Sequence, residues 1–502
     1  MGVPFAEKLL TFLAEEKGMD DIKLSIVKSN PGQSKHLETA KVNPILGFEL
    51  DLVNLRSEEY AIDSRIPTEV TFGTPLQDAL RRDITINSLF YNVHSKSVED
   101  HTGKGLHDLR NGVVRTPLPP RETFLDDPLR VLRCVRFASR FGFDMVPELV
   151  ASAKDPEIQT AFRSKITRER VGEEVHKMMK GRHPLLSIQL MDELSLPPLI
   201  FDVPASISST FSSQPAPYHT ALAASSVLHL IIDAPTEPSS SVSLPPVHSE
   251  LLSGIRTDST AQSRLYLACA VTPYRGITFT DAKKRIHPAC EAALREGLRV
   301  GTQNHYLDGI PALFGAWEIL RGPVGGDQAT QDSNNERARI GLLLREKTVH
   351  NPHTGSHWAT SLLFSLVQDL VELYNPIQDL LDVAEASKVI AKYNDFVARI
   401  LELDLPSAVE AKPILDGHEI VQILEAGKPG SWTGGVLARV TEWQLEFPQG
   451  TKEECAQWLT AEKKAGRIDV QTAGGSGGGR AGKEGKRAKG ERDGAVKKPK
   501  VD

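Results

Sequence analysis

The segment Arg81-Arg82-Asp83, followed by Asn87, contains the residue types of this sequence that most directly suggest chemistry. Two adjacent guanidinium groups suit an anionic triphosphate, because each presents several N–H donors in a fork that matches phosphate oxygens. The carboxylate of Asp83 either holds one guanidinium in place or accepts a hydrogen bond from a ribose hydroxyl. A charged cluster on a solvated surface is the alternative for any isolated segment of this kind.

A second cluster begins at Asp126 and Asp127 and continues with arginines at every third position, Arg130, Arg133 and Arg136. This spacing places the arginines on one stripe of a predicted helix whose start carries the two acids, where carboxylates favour the positive end of the dipole. Asp127 and Arg130 are one turn apart and offer an acceptor beside a donor, which matches the edge of cytosine or adenine. Helix capping and salt bridges on a solvated surface are the alternative.

The elements that must position these clusters are mixed in the first part of the chain. An amphipathic helix is predicted over residues 3–17. Alternation of polar and apolar residues predicts a strand over 47–56, with Glu49 and Asp51 on one face. Residues 98–114 are predicted to form a loop around three glycines.

From residue 123 onward the chain is predicted to be nearly all helical, beginning with one helix over 123–140. After residue 474 the composition is mainly Gly, Lys, Arg and Glu, which predicts a disordered basic tail. The fold class is therefore α+β, with a mixed-sheet head followed by an all-α neck, body and tail. The predicted domains are a head (1–118), a neck (119–200), a body (201–405), a tail (406–470) and the disordered C-terminus (471–502).

Composition excludes several classes of protein. The chain has 502 residues, 40% of them hydrophobic and 25% charged, and no uncharged apolar stretch of the roughly 18–20 residues that a membrane span needs. Its four cysteines are scattered, which favours neither a disulfide framework nor a zinc site. The net charge of −6 argues against indiscriminate binding of polyanions, although a locally basic stripe can bind RNA on an acidic protein.

Four segments in order resemble successive motifs of class II CCA-adding tRNA nucleotidyltransferases of the eukaryotic type, whose head is similar to that of poly(A) polymerases. The resemblance is close over residues 1–200 and looser over 413–459. Four motifs in the same order are far more specific than any one of them. The segments are GTPLQDALRRDITINSL, VEDHTGKGLHDLRNGVVRTP, FLDDPLRVLRCVRFASRFGF and SKITRERVGEEVHKMM.

The resemblance implies roles for individual residues. Arg82 would contact the nucleotide phosphates, and Asp83 would help to select ribose over deoxyribose. Asp127 and Arg130 would form the protein template for cytosine and adenine. Supporting roles fall to Arg133 and Arg136 at the bound nucleotide, to Arg81, Asn87 and Asp126, to Asp100 and Asp108 in a loop that couples head and neck, and to Glu169 and Arg170, which brace the templating helix.

The resemblance also implies Mg²⁺, because nucleotidyl transfer uses two metal ions held by paired carboxylates. In this family the pair is an Asp-x-Asp that follows a Gly-Gly-x-x-Arg-Asp loop, and no Gly-Gly precedes residue 325 here. Asp51 is similar in position to the family's third-strand carboxylate, with a half-buried structural acid as the alternative. We therefore expect the missing strands to be encoded upstream, and we expect residues 1–502 alone to transfer no CMP or AMP.

The implied function is tRNA 3′-end processing, in which C, C and A are added to tRNA from CTP and ATP. The alternatives are a noncatalytic RNA-binding protein built on the same scaffold and a poly(A) polymerase. The expected partner is the tRNA 3′ end, with no membrane contact. The expected location is the cytoplasm, the nucleus or both, or the mitochondrion if a transit peptide is encoded upstream.

Overall fold

The computed structural model of this chain describes residues 2–19, 21–27, 39–45, 48–60, 67–233, 244–324 and 333–468. Small sheets lie near the N-terminus and helices follow, so the predicted α+β class is confirmed. The chain divides into two compact units, residues 1–410 and 411–502. The disordered C-terminus predicted over 471–502 lies outside the described residues.

The head combines short strands and helices. β1, β2 and β3 form an antiparallel sheet in that order, whereas β4 pairs with β5 and β6 pairs with β7 as separate antiparallel ribbons. The bounds are α1 (Gly2–Lys17), β1 (Lys23–Val27), β2 (Thr39–Ile45), β3 (Phe48–Leu52), β4 (Arg56–Tyr60), β5 (Pro67–Phe72), α2 (Pro75–Leu80), a 3₁₀ turn (Ile86–Ser88), β6 (Phe90–Asn92), β7 (Ser97–Glu99), α3 (Gly105–Asn111) and β8 (Val113–Val114).

Helix α1 covers one face of the three-stranded sheet, as an amphipathic helix should. Ala6 of α1 is buried together with Ala40 and Val42 of β2. Phe5 and Phe12 remain exposed, although their spacing fits the apolar pattern of the helix. Small side chains at the contact let the helix lie close to the sheet, and the two large rings are left outside it.

Two predictions in the head are corrected. The strand predicted over residues 47–56 is β3, which ends at Leu52, and the chain turns before β4 begins at Arg56. Residues 98–114, predicted as a loop, contain the seven-residue helix α3, which ends where Gly112 adopts a φ of 65°. Glycine tolerates this left-handed conformation, and two turns of helix are too short for a periodic pattern to stand out.

The neck consists of helices that follow β8 directly. Its strand β9 pairs with β8 in parallel and so joins the neck to the head. The bounds are α4 (Pro120–Asp126), α5 (Arg130–Phe141), β9 (Asp144–Met145), α6 (Pro147–Ala153), α7 (Pro156–Lys165), α8 (Arg168–Met179), α9 (Pro184–Glu193) and α10 (Pro197–Ile200).

The single helix predicted over residues 123–140 is wrong, because the chain breaks between α4 and α5. Asp127 has φ −138° and ψ 96°, an extended conformation. The ring of Pro128 disfavours a helical conformation for the residue before it, and proline supplies no N–H for the helix. Asp126 is therefore the last residue of α4 and does not lie at the start of the arginine helix.

The body is a helical assembly around α18, most of whose side chains are buried. The helix α18 packs against α12, α13, α16 and α19. The bounds are α11 (Ala205–Ser208), α12 (His219–Ile232), α13 (Ser249–Thr257), α14 (Ser259–Ala270), β10 (Thr278–Thr280), β11 (Ile286–Pro288), α15 (Ala289–Ala292), α16 (Tyr306–Val324), α17 (Ser333–Leu344), α18 (Trp358–Leu370), β12 (Tyr374–Asn375), β13 (Leu380–Leu381), α19 (Val383–Glu402) and α20 (Leu405–Glu410).

Across the ranges that the structure describes, no helix has the length and apolar character needed to cross a membrane. All four cysteines of the chain are buried as free thiols.

Short hydrogen-bonded turns connect the body helices. They are the 3₁₀ helices Thr272–Tyr274, Gln303–His305, Pro352–Thr354 and Val371–Leu373 and the π-helix Ala293–Gly297.

The second compact unit contains α21 (Gly417–Ile423), α22 (Ser431–Glu446) and α23 (Lys452–Lys464). Capping boxes at Asp416 and Thr451 start the first and last of these helices. The unit begins at residue 411, a few residues after the predicted start of the tail. Its own core is formed by Leu415, Ile420, Leu424, Val436, Val440, Trp443, Cys455, Leu459 and Ile468.

Helix α8 attaches the neck to the body through Arg168. The guanidinium of Arg168 donates to the carbonyl oxygens of Gly297 (2.6 Å), Leu199 (2.9 Å) and Ile200. Three backbone acceptors around one guanidinium fix the start of α8 in both position and direction.

The close approach of α8 to the body gives a first prediction. A Cβ on Gly172 would lie 2.0 Å from the carbonyl oxygen of Leu298, so Gly172→Ala should force the helix outward and destabilise the protein by about 1–3 kcal/mol. Urea unfolding measures the change. Gly254→Ala in α13 is the control, because nothing lies within 4 Å of its Cβ and it should stabilise by about 0.5–1 kcal/mol. Wild-type stability of Gly172→Ala would contradict the packing.

Candidate nucleotide-binding site

The predicted Arg81-Arg82-Asp83 segment lies in the turn after α2. A capping box between Thr74 and Gln77 starts that helix. The turn is held by the buried hydroxyl of Ser88, which donates to the carbonyl oxygens of Ala79 (2.9 Å) and Ile84 (3.0 Å). The local hydrogen bonds therefore fix the backbone from which the three charged side chains extend.

Asp78 organises the two arginines. Its side chain is 2% exposed and accepts from Nη2 of Arg81 at 2.5 Å and from Nη2 of Arg82 at 2.7 Å. It also accepts from the backbone N–H of Arg56 at 3.2 Å. Burial alone would raise the pKa of Asp78, but the hydrogen bonds from Arg82 and Arg81 outweigh it and hold the pKa below its usual range.

Arg82 is further oriented by two contacts outside this pair. Its Nη1 donates to the carbonyl oxygen of Asn87 at 2.7 Å, and its guanidinium carbon lies 4.8 Å from the centre of the Phe90 ring. A guanidinium has five N–H bonds, so these contacts do not use all of its donors. The side chain is 32% exposed, so Arg82 is held in position and can still donate to an anion.

The lowered pKa of Asp78 predicts a specific acid sensitivity. A carboxylate whose pKa is depressed by folding contributes stability above its unfolded pKa of about 4, and that contribution is lost as the pH falls further. Asp78→Asn should cost about 1–3 kcal/mol at pH 7 and flatten the fall in stability below pH 4. Urea unfolding at several pH values measures both effects. The exposed Asp144→Asn is the control, and parallel curves for wild type and Asp78→Asn would refute the prediction.

Asp83 is buried and both of its carboxylate oxygens have partners. Oδ1 accepts from the backbone N–H of Ile84 at 2.9 Å and from Nδ2 of Asn87 at 3.0 Å. Oδ2 accepts from Nε of Arg133 at 2.7 Å and from Nη2 at 2.5 Å. Two nitrogens of Arg133 thus bond to Asp83. This ion pair connects the neck helix α5 to the segment that carries Arg82.

Arg130 makes a second tie between the same elements. It is 7% exposed, and its guanidinium donates to the carbonyl oxygens of Arg81 (2.7 Å) and Thr123 (3.4 Å). Asp127 instead pairs with Arg170 of α8, whose Nη2 lies 2.8 Å from Oδ2. Asp127 and Arg130, predicted to offer an acceptor beside a donor, therefore bond to different partners.

Asp127 also makes a local capping contact, which agrees with the alternative of helix capping that the sequence left open. Its Oδ1 accepts from the backbone N–H of Leu129 at 3.2 Å, so the side chain caps the turn that leads into α5. Asp126 is half-buried, and burial raises the pKa of its carboxyl group. The two neighbouring acids thus lie in different environments, one ion-paired and one partly desolvated.

Glu174 on α8 lies beside Arg133 and Arg136, the other two arginines of the stripe. It is buried and accepts from Nε of Arg136 at 2.6 Å, while Nη1 of Arg133 lies 4.0 Å from its other oxygen. Burial lowers and the neighbouring Asp83 raises the pKa of Arg133, and the net shift is upward. Glu174 was not among the predicted site residues, because no local spacing relates it to α5.

The other predicted residues lie in separate places. Asp100 caps a turn by accepting from the backbone N–H of Leu106 at 3.0 Å. Asp108 is buried and accepts from Thr85 at 2.7 Å and from Arg115 at 3.1 Å, so it fastens α3 to the turn after α2. Glu169 is exposed and pairs with Arg299 at 3.5 Å, and Asp51 is exposed on β3 opposite Lys41.

The described residues do not fit the metal ions that the resemblance implies. Asp51 shares its strand with Glu49, whose carboxylate accepts from Lys41 at 2.7 Å and from Asn43 at 2.6 Å. Among the residues described by the structure, no group of three or more His, Cys, Asp or Glu side chains lies close enough to hold a metal ion.

Comparison with solved structures places this architecture in a known fold. The chain superposes on a CCA-adding enzyme in apo form II with a TM-score of 0.55 at 16% identity, over 92% of this chain and 85% of that one. A CCA-adding enzyme in complex with ATP matches with a TM-score of 0.53 at 17% identity, over 93% of this chain and 85% of that one. At these identities the likeness concerns the fold.

Comparison of sequences establishes the family. Residues 18–115 match the family model of the poly(A) polymerase head domain. The mitochondrial CCA tRNA nucleotidyltransferase of Saccharomyces cerevisiae is 34% identical over 475 residues, covering 92% of this chain and 82% of the relative. The tRNA nucleotidyltransferase cca1 of Schizosaccharomyces pombe is 31% identical over 461 residues, covering 90% and 84%. The chain belongs to the CCA-adding tRNA nucleotidyltransferase family.

Proposed function

We propose that this protein adds C, C and A to the 3′ end of tRNA, using CTP and ATP. The observation that carries the proposal is the double tie between head and neck, Asp83 to Arg133 and Arg130 to the carbonyl of Arg81. These contacts bring the arginines after α2 next to the start of α5, where Asp127 lies. Phosphate recognition and base recognition thus belong to one site.

In this proposal the arginines after α2 bind the triphosphate. Asp78 neutralises part of their mutual repulsion and fixes both guanidinium planes, so little side-chain freedom is lost when an anion binds. Arg82 keeps free N–H bonds for phosphate oxygens. Arg133 and Arg136 support the bound nucleotide from the neck, and Asp83 accepts a hydrogen bond from the ribose 2′-hydroxyl.

Base choice is assigned to Asp127 and Arg130. A carboxylate accepts from the exocyclic amine of cytosine or adenine, and a guanidinium donates to the neighbouring ring nitrogen. Uracil and guanine present the opposite pattern at that edge. Arg170 lies 2.8 Å from Asp127, so Arg170 either positions the carboxylate or supplies the donor itself.

The proposed partners follow from the relatives. Solved members of this fold include complexes of CCA-adding enzymes with ATP, with CTP and with tRNA. We assign the same three ligands to this protein, and we propose Mg²⁺ as the ion of the reaction on the basis of the family alone. Two relatives are named as mitochondrial, and we propose that compartment in addition to the cytoplasm and nucleus.

The test is incorporation of labelled CTP and ATP into tRNA lacking its 3′ CCA, with Mg²⁺ present. It is run with the 502-residue chain and with a chain extended upstream by the in-frame residues of its gene. CCA addition by either preparation supports the function. Addition of A alone in long runs would indicate a poly(A) polymerase, and RNA binding without incorporation by either preparation would indicate a noncatalytic protein.

A further inference from the structure

A basic cavity of about 630 Å³ lies between the last turns of α5 and α8 and the segment that follows α8. No acidic residue is among those that line it. The cationic and aromatic residues that line it are Arg136, Arg140, Phe141, Lys177, Lys180 and Arg182.

Three of its cations are not neutralised. Arg140, Lys180 and Arg182 are exposed, and none has an ion pair with a carboxylate in the part of the chain that the structure describes. The acidic side chains near the cavity are already engaged, because Glu174 binds Arg136 and Glu173 lies 3.6 Å from Lys177. The cavity therefore carries a surplus of positive charge on a protein whose net charge is negative.

The placement of these cations at helix ends explains part of the pattern. Arg140 lies in the last turn of α5, and Lys180 caps α8, where positive charge is favoured by the helix dipole. Arg182 lies beyond α8, so helix stabilisation does not account for it. Burial and the charge of Lys180 lower the pKa of His176, and its Nδ1 lies 3.0 Å from the hydroxyl of Tyr306.

An exposed aromatic ring borders the same cavity. Phe141 is 46% exposed, although its ring stacks on Phe137 with a centroid distance of 6.2 Å. The guanidinium carbon of Arg140 lies 5.7 Å from the centre of the Phe141 ring. Cations that follow a backbone beside an aromatic platform are the arrangement by which proteins hold unpaired nucleotides.

We propose that this cavity binds an unpaired RNA segment, with phosphates on Arg140, Lys180 and Arg182 and one base stacked on Phe141. The inference rests on the proposed function, which supplies an RNA substrate with a single-stranded end. It adds a second RNA contact, on the neck beyond the arginines that bind Glu174. Free CTP or pyrophosphate offers the same phosphate oxyanions, and a duplex offers phosphates without exposed bases.

The test is fluorescence anisotropy of a labelled, unpaired RNA of about 12 nucleotides with the 502-residue chain, at about 50–200 mM KCl. The variant combines Arg140→Gln, Lys180→Gln and Arg182→Gln. Each lost phosphate contact reduces the salt slope by roughly 0.7, so the slope should fall by about 2, with binding weakened at least about tenfold. The control combines Lys104→Gln, Arg110→Gln and Lys154→Gln, which are exposed elsewhere, and should stay within about twofold of wild type.

Phe141→Leu tests the platform separately. It keeps an apolar side chain at an exposed position but removes the flat ring, and stacking is worth roughly 1–3 kcal/mol per base, or about five- to a hundredfold in affinity. We expect that loss for unpaired RNA and not for a duplex of the same sequence. Equal losses for the two RNAs would overturn the assignment of a stacked base.

Two outcomes would overturn the cavity as an RNA site. One is an unchanged salt slope in the triple variant. The other is that pyrophosphate displaces the RNA from the wild-type protein at concentrations that displace no RNA from the triple variant. Neither outcome depends on CCA addition, because binding is measured without catalysis. A reduced slope in the triple variant, with no CCA addition by either preparation, would keep the cavity and reject the proposed function. An unchanged slope, with CCA addition, would reject the cavity and keep the proposed function.

Discussion

Replacing Asp83 with alanine is expected to lower the free energy of unfolding by about 2–4 kcal/mol. The buried carboxylate accepts from Asn87, from the backbone of Ile84 and from two nitrogens of Arg133. Breaking a fully buried ion pair costs roughly 3–5 kcal/mol, because one charge is left without its partner. The Arg133 side chain is 36% exposed, so water replaces part of the lost interaction and the expected cost is smaller.

Urea unfolding of Asp83→Ala, Arg133→Ala and the double variant measures this coupling directly. The double variant should lose less stability than the sum of the two single variants. Asp144→Ala, which removes an exposed acid from β9, is the control and should change stability by less than about 0.5 kcal/mol. Strict additivity of the two single variants would mean that the tie between head and neck contributes nothing.

The same position tests ribose selection. Both oxygens of Asp83 already accept hydrogen bonds, so a 2′-hydroxyl must share an oxygen with Asn87 or displace it. Asp83→Asn keeps one acceptor and should narrow the gap between ATP and dATP in equilibrium binding if the carboxylate contacts the ribose. A full preference for ATP in this variant would leave Asp83 only the structural role.

Replacing Asp127 with alanine is expected to reduce the preference for CTP over UTP by about five- to a hundredfold. The reason is that loss of the acceptor opposite the base amine removes roughly 1–3 kcal/mol of discrimination between the bases. Competition binding of CTP and UTP measures the ratio without requiring catalysis. ATP against GTP should change in the same direction.

Two companion variants identify the donor. Arg130→Gln should also reduce the preference if Arg130 reads the base, although its bonds to the carbonyls of Arg81 and Thr123 predict an additional loss of stability. Arg170→Gln should reduce the preference less than Asp127→Ala does if Arg170 only positions Asp127, because the carboxylate is still present. A loss of preference as large as that of Asp127→Ala in Arg170→Gln, with none in Arg130→Gln, would transfer the template role to Arg170. Glu148→Ala, an exposed acid of the neck, is the control.

The order of the motifs is enough to indicate the family, and the strand and helix patterns indicate the α+β class. Helical spacing determined that Arg130, Arg133 and Arg136 lie on one helix, because a pattern of i,i+3 positions is set by the helix geometry alone. The D-x-x-R-R spacing at the end of α2 also contained the pairing of Asp78 with Arg81 and Arg82, since residues three and four apart are neighbours on a helical turn.

The break at Asp127 could have been predicted from Pro128, but the longer helical pattern of apolar residues was given more weight. Apolar residues continue at helical spacing through Pro128, and the periodicity alone favours one helix. The local rule for the residue before proline decides the conformation, because it is a steric clash. This break moves Asp127 out of the helix, so its carboxylate points to Arg170 and not along the arginine stripe.

The partners of the predicted site residues were decided only by the tertiary structure. Asp83 meets Arg133 across 50 positions of sequence, Asp127 meets Arg170 across 43, and Glu174 meets Arg136 across 38. A charge pattern states which groups need a partner, but it contains no information about which distant helix supplies one. The packing of α5 between the head and α8 makes that choice. The sequence thus determined which residues are candidates for the chemistry, and tertiary packing determined which of them remain exposed for a ligand and which hold the elements together.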